Sequence, residues 1–183
     1  MKRPRVKIEN VVASARLGDK INLNVIARKI PKTEYEPKQF PGLIFRIERP
    51  QATALIFKTG KIVCTGAKSE DDAVEAVRAV IRKLQAKKIK LGDSPIIDIK
   101  NIVSTINLQR RIRLERSART LVKCMYEPEQ FPGLIYRMEE PKAVFLIFST
   151  GKMVCTGIRR MSEIYRATHL LVELLESKDL FTK

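Results

Sequence analysis

Two asparagines, Asn10 and Asn101, two threonines, Thr65 and Thr156, and four phenylalanines, Phe40, Phe57, Phe131 and Phe148, occur as pairs separated by the same 91 positions. A carboxamide donates to lone acceptors, a hydroxyl donates or accepts, and an exposed phenyl ring stacks on a flat heterocycle or wedges between two of them. Arg46, Lys61, Arg137 and Lys152 form a matched cationic set suited to phosphate oxygens. Val12, Val63, Val103 and Val154, with Leu55 and Leu146, form a matched apolar set that offers no acceptor.

Catalytic and metal chemistry find no comparable constellation. There is one histidine, and three cysteines without a CxxC spacing suggest neither a zinc site nor a disulfide framework. His169 stands in line with Arg166, Glu173 and Glu176 on the outward stripe of a helix, and the adjacent Glu139 and Glu140 have no partner for acid-base work. "GAKS" at Gly66 to Ser69 precedes a helix, but a phosphate loop needs G-x-x-x-x-G-K-[ST], and the second copy of the segment lacks Lys-Ser. The expectation is a non-enzymatic protein without metal or cofactor.

A formal net charge of +16 and a pI near 10.0 point to a polyanionic partner. The charge is uneven: residues 1–91 hold 21 Lys and Arg against 9 Asp and Glu, residues 92–183 hold 15 against 11. No apolar run approaches the roughly 18 residues of a membrane span, and "MKRPRVKIEN" has no signal-like apolar stretch. Together with the free cysteines this predicts a soluble, unsecreted protein of a reducing compartment.

The elements that must position these residues are themselves duplicated. Residues 36–66 and 127–157 align without a gap and are identical at 22 of 31 positions, so one template is used twice, with units expected over 1–91 and 92–183. In each, a β-branched run ("KIENVVASARL", "DIKNIVSTINL") predicts a strand, and "NLNVIARKI" and "LERSARTLV" predict short helices, Asn22 capping the first. Pro-bounded runs "GLIFRIERP", "ATALIFKTG" and "KIVCTG" predict an antiparallel meander. A longer helix closes each unit. Ser69 with Asp72 caps the first, whose stripe is expected at Val74, Val77, Ile81 and Leu84; Ser162 precedes a second stripe at Ile164, Leu171, Leu174 and Leu175.

One amphipathic helix face per unit covers one sheet face, giving an α+β fold with helices on a single side. Alternation then puts Ile62, Cys64, Ala54 and Ile56 under the helices, and Val63, Thr65, Leu55 and Phe57 on the other side. That second face is apolar as well, which marks a binding surface or a second core layer. By the same parity Cys64 and Cys155 are buried structural thiols, while Cys124 finds no place in the pattern.

An apolar sheet rimmed by Lys and Arg suits the DNA minor groove. Its A·T pairs present only acceptors, which Asn10, Asn101, Thr65 and Thr156 satisfy, whereas the guanine amino group would be crowded against the valines. Phe40, Phe57, Phe131 and Phe148 are the candidate wedges. A single-stranded nucleic-acid binder with stacking platforms, or a module that takes a partner peptide, are the alternatives; the symmetric polar centre favours a duplex.

"FPGLIFR", "ALIFKTGKIVCTGAKSEDDA", "EPEQFPGLIYRM" and "FLIFSTGKMVCTG", in this order and spacing, resemble the TATA-box-binding protein family across essentially the whole chain. The resemblance implies a saddle: two pseudo-symmetric repeats, one continuous curved antiparallel sheet with its concave face free for DNA, and helices on the convex side. It implies intercalation by the four phenylalanines, base contacts by the Asn, Thr and Val pairs, and phosphate contacts by Arg46, Lys61, Arg137 and Lys152. It further implies a role in transcription initiation with transcription factor B and RNA polymerase as partners, the factor meeting the second-repeat loop at Glu127, Glu129 and Gln130, where the first repeat has Lys38 in place of Glu129. Glu9 and Lys100 depart from the Gln common in eukaryotic members, and "TGAKS" becomes "TGIRR", shifting basic residues to Arg159 and Arg160. "FPGLI" in both halves and the lack of a long N-terminal extension resemble archaeal members, which places the protein in the cytoplasm on the chromosome; a eukaryotic source would place it in the nucleus.

Overall fold

The structure, a computed structural model, describes residues 3–93 and 95–182. Each half of the chain repeats one order of elements. The first runs β1 (Arg5–Arg16), α1 (Leu23–Lys29), β2 (Thr33–Glu34), β3 (Leu43–Ile47), β4 (Ala52–Ile56), β5 (Lys61–Ala67) and α2 (Glu70–Ala86). The second runs β6 (Asp98–Asn107), α3 (Leu114–Thr120), β7 (Cys124–Met125), β8 (Leu134–Met138), β9 (Ala143–Ile147), β10 (Lys152–Ile158) and α4 (Met161–Ser177). The strands form one sheet in the order β2-β3-β4-β5-β1-β6-β10-β9-β8-β7. This is the expected α+β architecture of two repeats. The two-residue strands β2 and β7 escape sequence reading because two residues carry no period.

By compactness the chain forms two units: Asn10–Lys100, and Asn101 onward together with the chain up to Glu9. The start of β1 therefore belongs with the second repeat's strands.

In the unit Asn10–Lys100, β3, β4 and β5 form an antiparallel meander, with Ala54 opposite Cys64 and Leu55 opposite Val63, and β1 pairs with β5 beyond a bulge between Val11 and Ala13. Helix α2 lies against β3, β4 and β5. It starts where the Ser69 hydroxyl accepts the Asp72 amide at 3.0 Å, with Glu70, Asp71 and Asp72 in the first turn, where carboxylates oppose the helix dipole. The buried side of α2 is Ala73, Ala76, Val77, Val80 and Leu84, whereas Val74 and Ile81 are only half-buried. The expected stripe is thus rotated. At about 100° per residue, Ala73, Val80 and Leu84 lie at the middle of the buried face, Val77 and Ala76 toward its two sides, and Val74 and Ile81 beyond Val77 at its edge. Asn22 caps α1 as expected, its Oδ1 accepting from Asn24 and Val25.

The other unit repeats this plan with β8, β9 and β10, β10 pairing with β6 past a bulge between Cys155 and Ile158. Helix α4 lies against β10 and buries Ile164, Ala167, Thr168, Leu171 and Leu175. Leu174, expected in the stripe, is half-buried at its edge. Ser162 falls inside the first turn, and the N-cap position is Arg160, which makes no side-chain cap bond.

Alternation holds in both units. Leu43, Phe45, Ala54, Ile56, Ile62 and Cys64 are buried, as are Leu134, Phe145, Ile147, Met153 and Cys155. The residues between them remain partly accessible. No helix among the described residues is long and apolar enough to cross a membrane.

Candidate nucleic-acid interface

The accessible parity of each unit carries the matched residues. Val12, Leu55, Val63 and Thr65 in one unit, and Val103, Leu146, Val154 and Thr156 in the other, are all half-buried, as are Asn10 and Asn101. An apolar sheet face left half-exposed is what a partner surface requires.

Each asparagine is held in one orientation. In the first unit the Gly66 amide donates to Asn10 Oδ1 at 2.7 Å, and Asn10 Nδ2 donates to Thr65 Oγ1 at 2.8 Å. In the second, the Gly157 amide donates to Asn101 Oδ1 at 2.8 Å and Nδ2 donates to Thr156 Oγ1 at 3.0 Å. A backbone N–H can only donate, so the carboxamide oxygen must face the glycine and the NH2 group must face away. One Nδ2 hydrogen is then left over on each side. The sequence singles out the asparagines and threonines but not the glycines that aim them.

Those glycines adopt φ of +100° and +89°. A Cβ on Gly66 would meet nothing nearer than 3.5 Å, so conformation rather than space calls for glycine there. Both sit at bulges, which turn their amides out of the ladder toward the asparagines. The legible signal was the repeated Thr-Gly at the end of β5 and β10.

The phenylalanines come together as Phe40 with Phe57 and Phe131 with Phe148, ring centroids 6.0 and 5.8 Å apart and planes at 65° and 66°. This edge-to-face packing joins two half-buried rings into one apolar unit on each half of the chain. Gly42 and Gly133 lie beneath, where a Cβ would stand 2.7 Å from Cε1 of Phe40 and of Phe131 respectively. The "FPG" of each repeat is thereby explained: the last residue must be small for the rings to pack down.

Arg46, Lys61, Arg137 and Lys152 are exposed, Arg46 pairing with Glu34 at 3.1 Å. In the loop before Phe131, Glu127, Glu129 and Gln130 are exposed, and the Glu127 carbonyl accepts the amides of Gln130 and Phe131 at 2.9 Å. The corresponding turn of the first repeat uses Glu36 in the same way, leaving Lys38 where Glu129 stands.

Glu9, where eukaryotic members of the resembled family commonly have Gln, is held in a defined place. Thr105 Oγ1 donates to its carboxylate at 2.8 Å, and Lys7 Nζ lies at 3.2 Å. It lines a concavity of about 790 Å3 with Thr105, Phe148, Lys152 and Val154.

Cys64 and Cys155 are buried, as strand alternation predicts. Burial pushes the thiols of Cys64 and Cys155 up to about 12. Cys124 lies in β7, its thiol against the Leu121 carbonyl at 3.1 Å. His169 is exposed and pairs with Glu173 one turn on at 3.3 Å. No group of three metal-ligating side chains occurs among the described residues.

The sequence model of "Transcription factor TFIID (or TATA-binding protein, TBP)" matches the chain twice, over residues 5–87 and 96–178. A TATA-box-binding protein of Pyrodictium occultum is 51% identical over 95% of this chain and 87% of its own length. Another, of Sulfolobus acidocaldarius, is 49% identical over 95% of this chain and 88% of its own length. The solved structure titled Methanococcus jannaschii TBP superposes with a TM-score of 0.85 at 41% identity, over 94% of this chain and 99% of that one.

Proposed function

The chain belongs to the TATA-binding protein family, and we propose on that premise that it is a general transcription initiation factor that binds the minor groove of A·T-rich TATA promoter elements. The observation that carries this reading is the pair of oriented carboxamides on an otherwise apolar half-exposed face. With Oδ1 committed to a glycine amide, each asparagine can present only a donor outward. A donor surrounded by Val and Leu matches a groove floor of adenine N3 and thymine O2, and leaves a guanine amino group without an acceptor.

The roles follow. Asn10, Asn101, Thr65 and Thr156 address base acceptors, and Val12, Val63, Val103, Val154, Leu55 and Leu146 lie against the groove floor. The pairs Phe40–Phe57 and Phe131–Phe148 enter between base steps and kink the duplex, the unstacking cost being offset by wider contact. Arg46, Lys61, Arg137 and Lys152 bind phosphates. The repeats divide at 1–91 and 92–183.

Transcription factor B docks on the second-repeat loop, where the exposed Glu127 and Glu129, beside Gln130, offer an acidic patch to a basic partner surface, and RNA polymerase follows. Glu129→Lys is expected to weaken the ternary complex and spare DNA binding; an unchanged ternary affinity would reject this docking site. Such a factor acts on the chromosome, in the cytoplasm of an archaeal cell.

The test of the main reading uses three short duplexes: a TATA element, the same element with I·C for A·T, and a G·C version. Inosine lacks the minor-groove amino group, so I·C resembles A·T in that groove and G·C in the major groove. Binding and bending of the first two but not the third is expected. Rejection of I·C together with G·C would mean that the major groove is read, and preference for single strands would favour the stacking-platform alternative.

A further inference from the structure

The accessible faces of the two units are not matched in charge, because one of them carries a carboxylate. Glu9 belongs to the compact unit that contains Asn101, and its side chain is about one-third exposed, in the concavity bounded by Thr105, Phe148, Lys152 and Val154. The Thr105 hydroxyl at 2.8 Å and the Lys7 ammonium at 3.2 Å hold it in place. At the position 91 residues on, the other unit has Lys100, whose ammonium pairs with Asp98 at 3.1 Å. Ser14, the counterpart of Thr105, is buried. One unit thus offers an additional acceptor on its accessible face, and the other offers a cation at the matched position.

Resting on the minor-groove reading above, we propose that Glu9 is a specificity-determining residue that sets the direction of the protein on its element. The chemistry differs in sign between the half-sites. A carboxylate facing adenine N3 or thymine O2 opposes one acceptor with another, whereas facing guanine it accepts from the N2 amino group, the one donor on the groove floor. The half-element under the Glu9 unit therefore tolerates a G·C pair. The half-element under the Lys100 unit has no such acceptor and rejects it. An element with a single G·C pair away from its centre is bound in one direction, with that pair under Glu9. An exchange of this kind at one base pair corresponds to a bias of about tenfold between directions.

The test uses a palindromic A·T element in which one half carries a G·C pair, and a second in which that pair is I·C. The donor dye is on one DNA end and the acceptor on Lys38→Cys in a Cys124→Ser background, so that energy transfer reports direction. The native residue at 9 is expected to give about a tenfold bias on the G·C element and none on the I·C element. Glu9→Leu, which leaves no acceptor at this position, should reduce the bias to about twofold or less, and the exchange Glu9→Lys with Lys100→Glu should reverse it. Unchanged direction in a Glu9→Leu protein that still binds and bends the I·C element would overturn the proposal. If the exchanged protein does not fold, Glu9→Leu decides alone. Failure of the protein with native Glu9 to bind the I·C element would instead reject the minor-groove reading, so the two failures are distinct.

Discussion

Replacing Asn101 by aspartate changes one donor into an acceptor with almost no change of shape, and so isolates what the outward amide does. Asp keeps an oxygen for the Gly157 amide, which now lies 2.8 Å from Oδ1. The Thr156 hydroxyl, at present accepting from Nδ2 at 3.0 Å, can rotate and donate to the carboxylate instead. Both internal bonds survive, and the free protein should keep its stability to within about 0.5 kcal/mol. On DNA the consequences are larger. A hydrogen bond worth about 1 kcal/mol is lost, and an acceptor left facing an acceptor in a dehydrated groove adds about 1–3 kcal/mol. Affinity for an A·T element should fall about 30- to 900-fold, a cost of about 2–4 kcal/mol. The sharper readout is the preference for I·C over G·C at the base pair under Asn101. It should shrink or invert, because the new carboxylate accepts from the guanine amino group. Equilibrium binding by fluorescence anisotropy at one salt concentration, on the two duplexes and with both proteins, measures it. A variant with lowered affinity but an undiminished preference for I·C would show that the added charge acted only on phosphates, and would refute the assignment of Asn101 to base contact.

Gly133→Ala places a Cβ where Phe131 Cε1 is 2.7 Å away, so the ring tip must retreat by about 0.7 Å to reach ordinary contact at about 3.4 Å. Because that tip is the far end of a half-buried side chain, thermal stability should change little while the DNA bend at that end decreases; a bend unchanged by energy-transfer measurement would argue against the wedge. The Cys64 and Cys155 thiols, held up to about 12 by burial, should resist alkylation at pH 8 in the native protein and react once it is unfolded. Their raised folded values also carry a sign: between about pH 9 and 12 the unfolded chain loses protons that the folded one keeps, so stability should fall with rising pH in that window and be unaffected below it, as denaturant titrations would show. Ser69→Ala removes the oxygen that accepts the Asp72 amide and should cost about 1 kcal/mol in chemical denaturation, with DNA affinity preserved.

What could be read from the chain without its fold rests on period and repetition. Strict alternation in "KIVCTG" and "TALIF" decides which side chains lie under the helix, because successive residues of a strand must face opposite ways, and the structure buries Ile62, Cys64, Ala54 and Ile56 accordingly. The internal repeat of 91 residues identified Asn10, Thr65, Phe40 and Phe57 with their counterparts, since a residue kept twice on an exposed parity has no packing reason to be there. The α2 stripe is less legible: a 3.6-residue period gives a face but not its centre, and Ala73 and Ala76, weak as hydrophobic signals, are part of the buried face.

Tertiary structure alone decided which atoms face outward. The asparagine amides point away from the protein because bulges turn the Gly66 and Gly157 amides toward their oxygens, a bond between residues 56 positions apart in each repeat. The phenylalanine rings pack in pairs because a glycine two residues beyond Phe40 and Phe131 leaves room for a ring delivered by the end of another strand. Glu9 gained its place only when the start of β1 joined the unit of the second repeat and met Thr105, 96 residues along the chain. Periodicity in a sequence records the sidedness of an element; orientation and meeting are set by bonds between elements, and those the chain acquires only by folding.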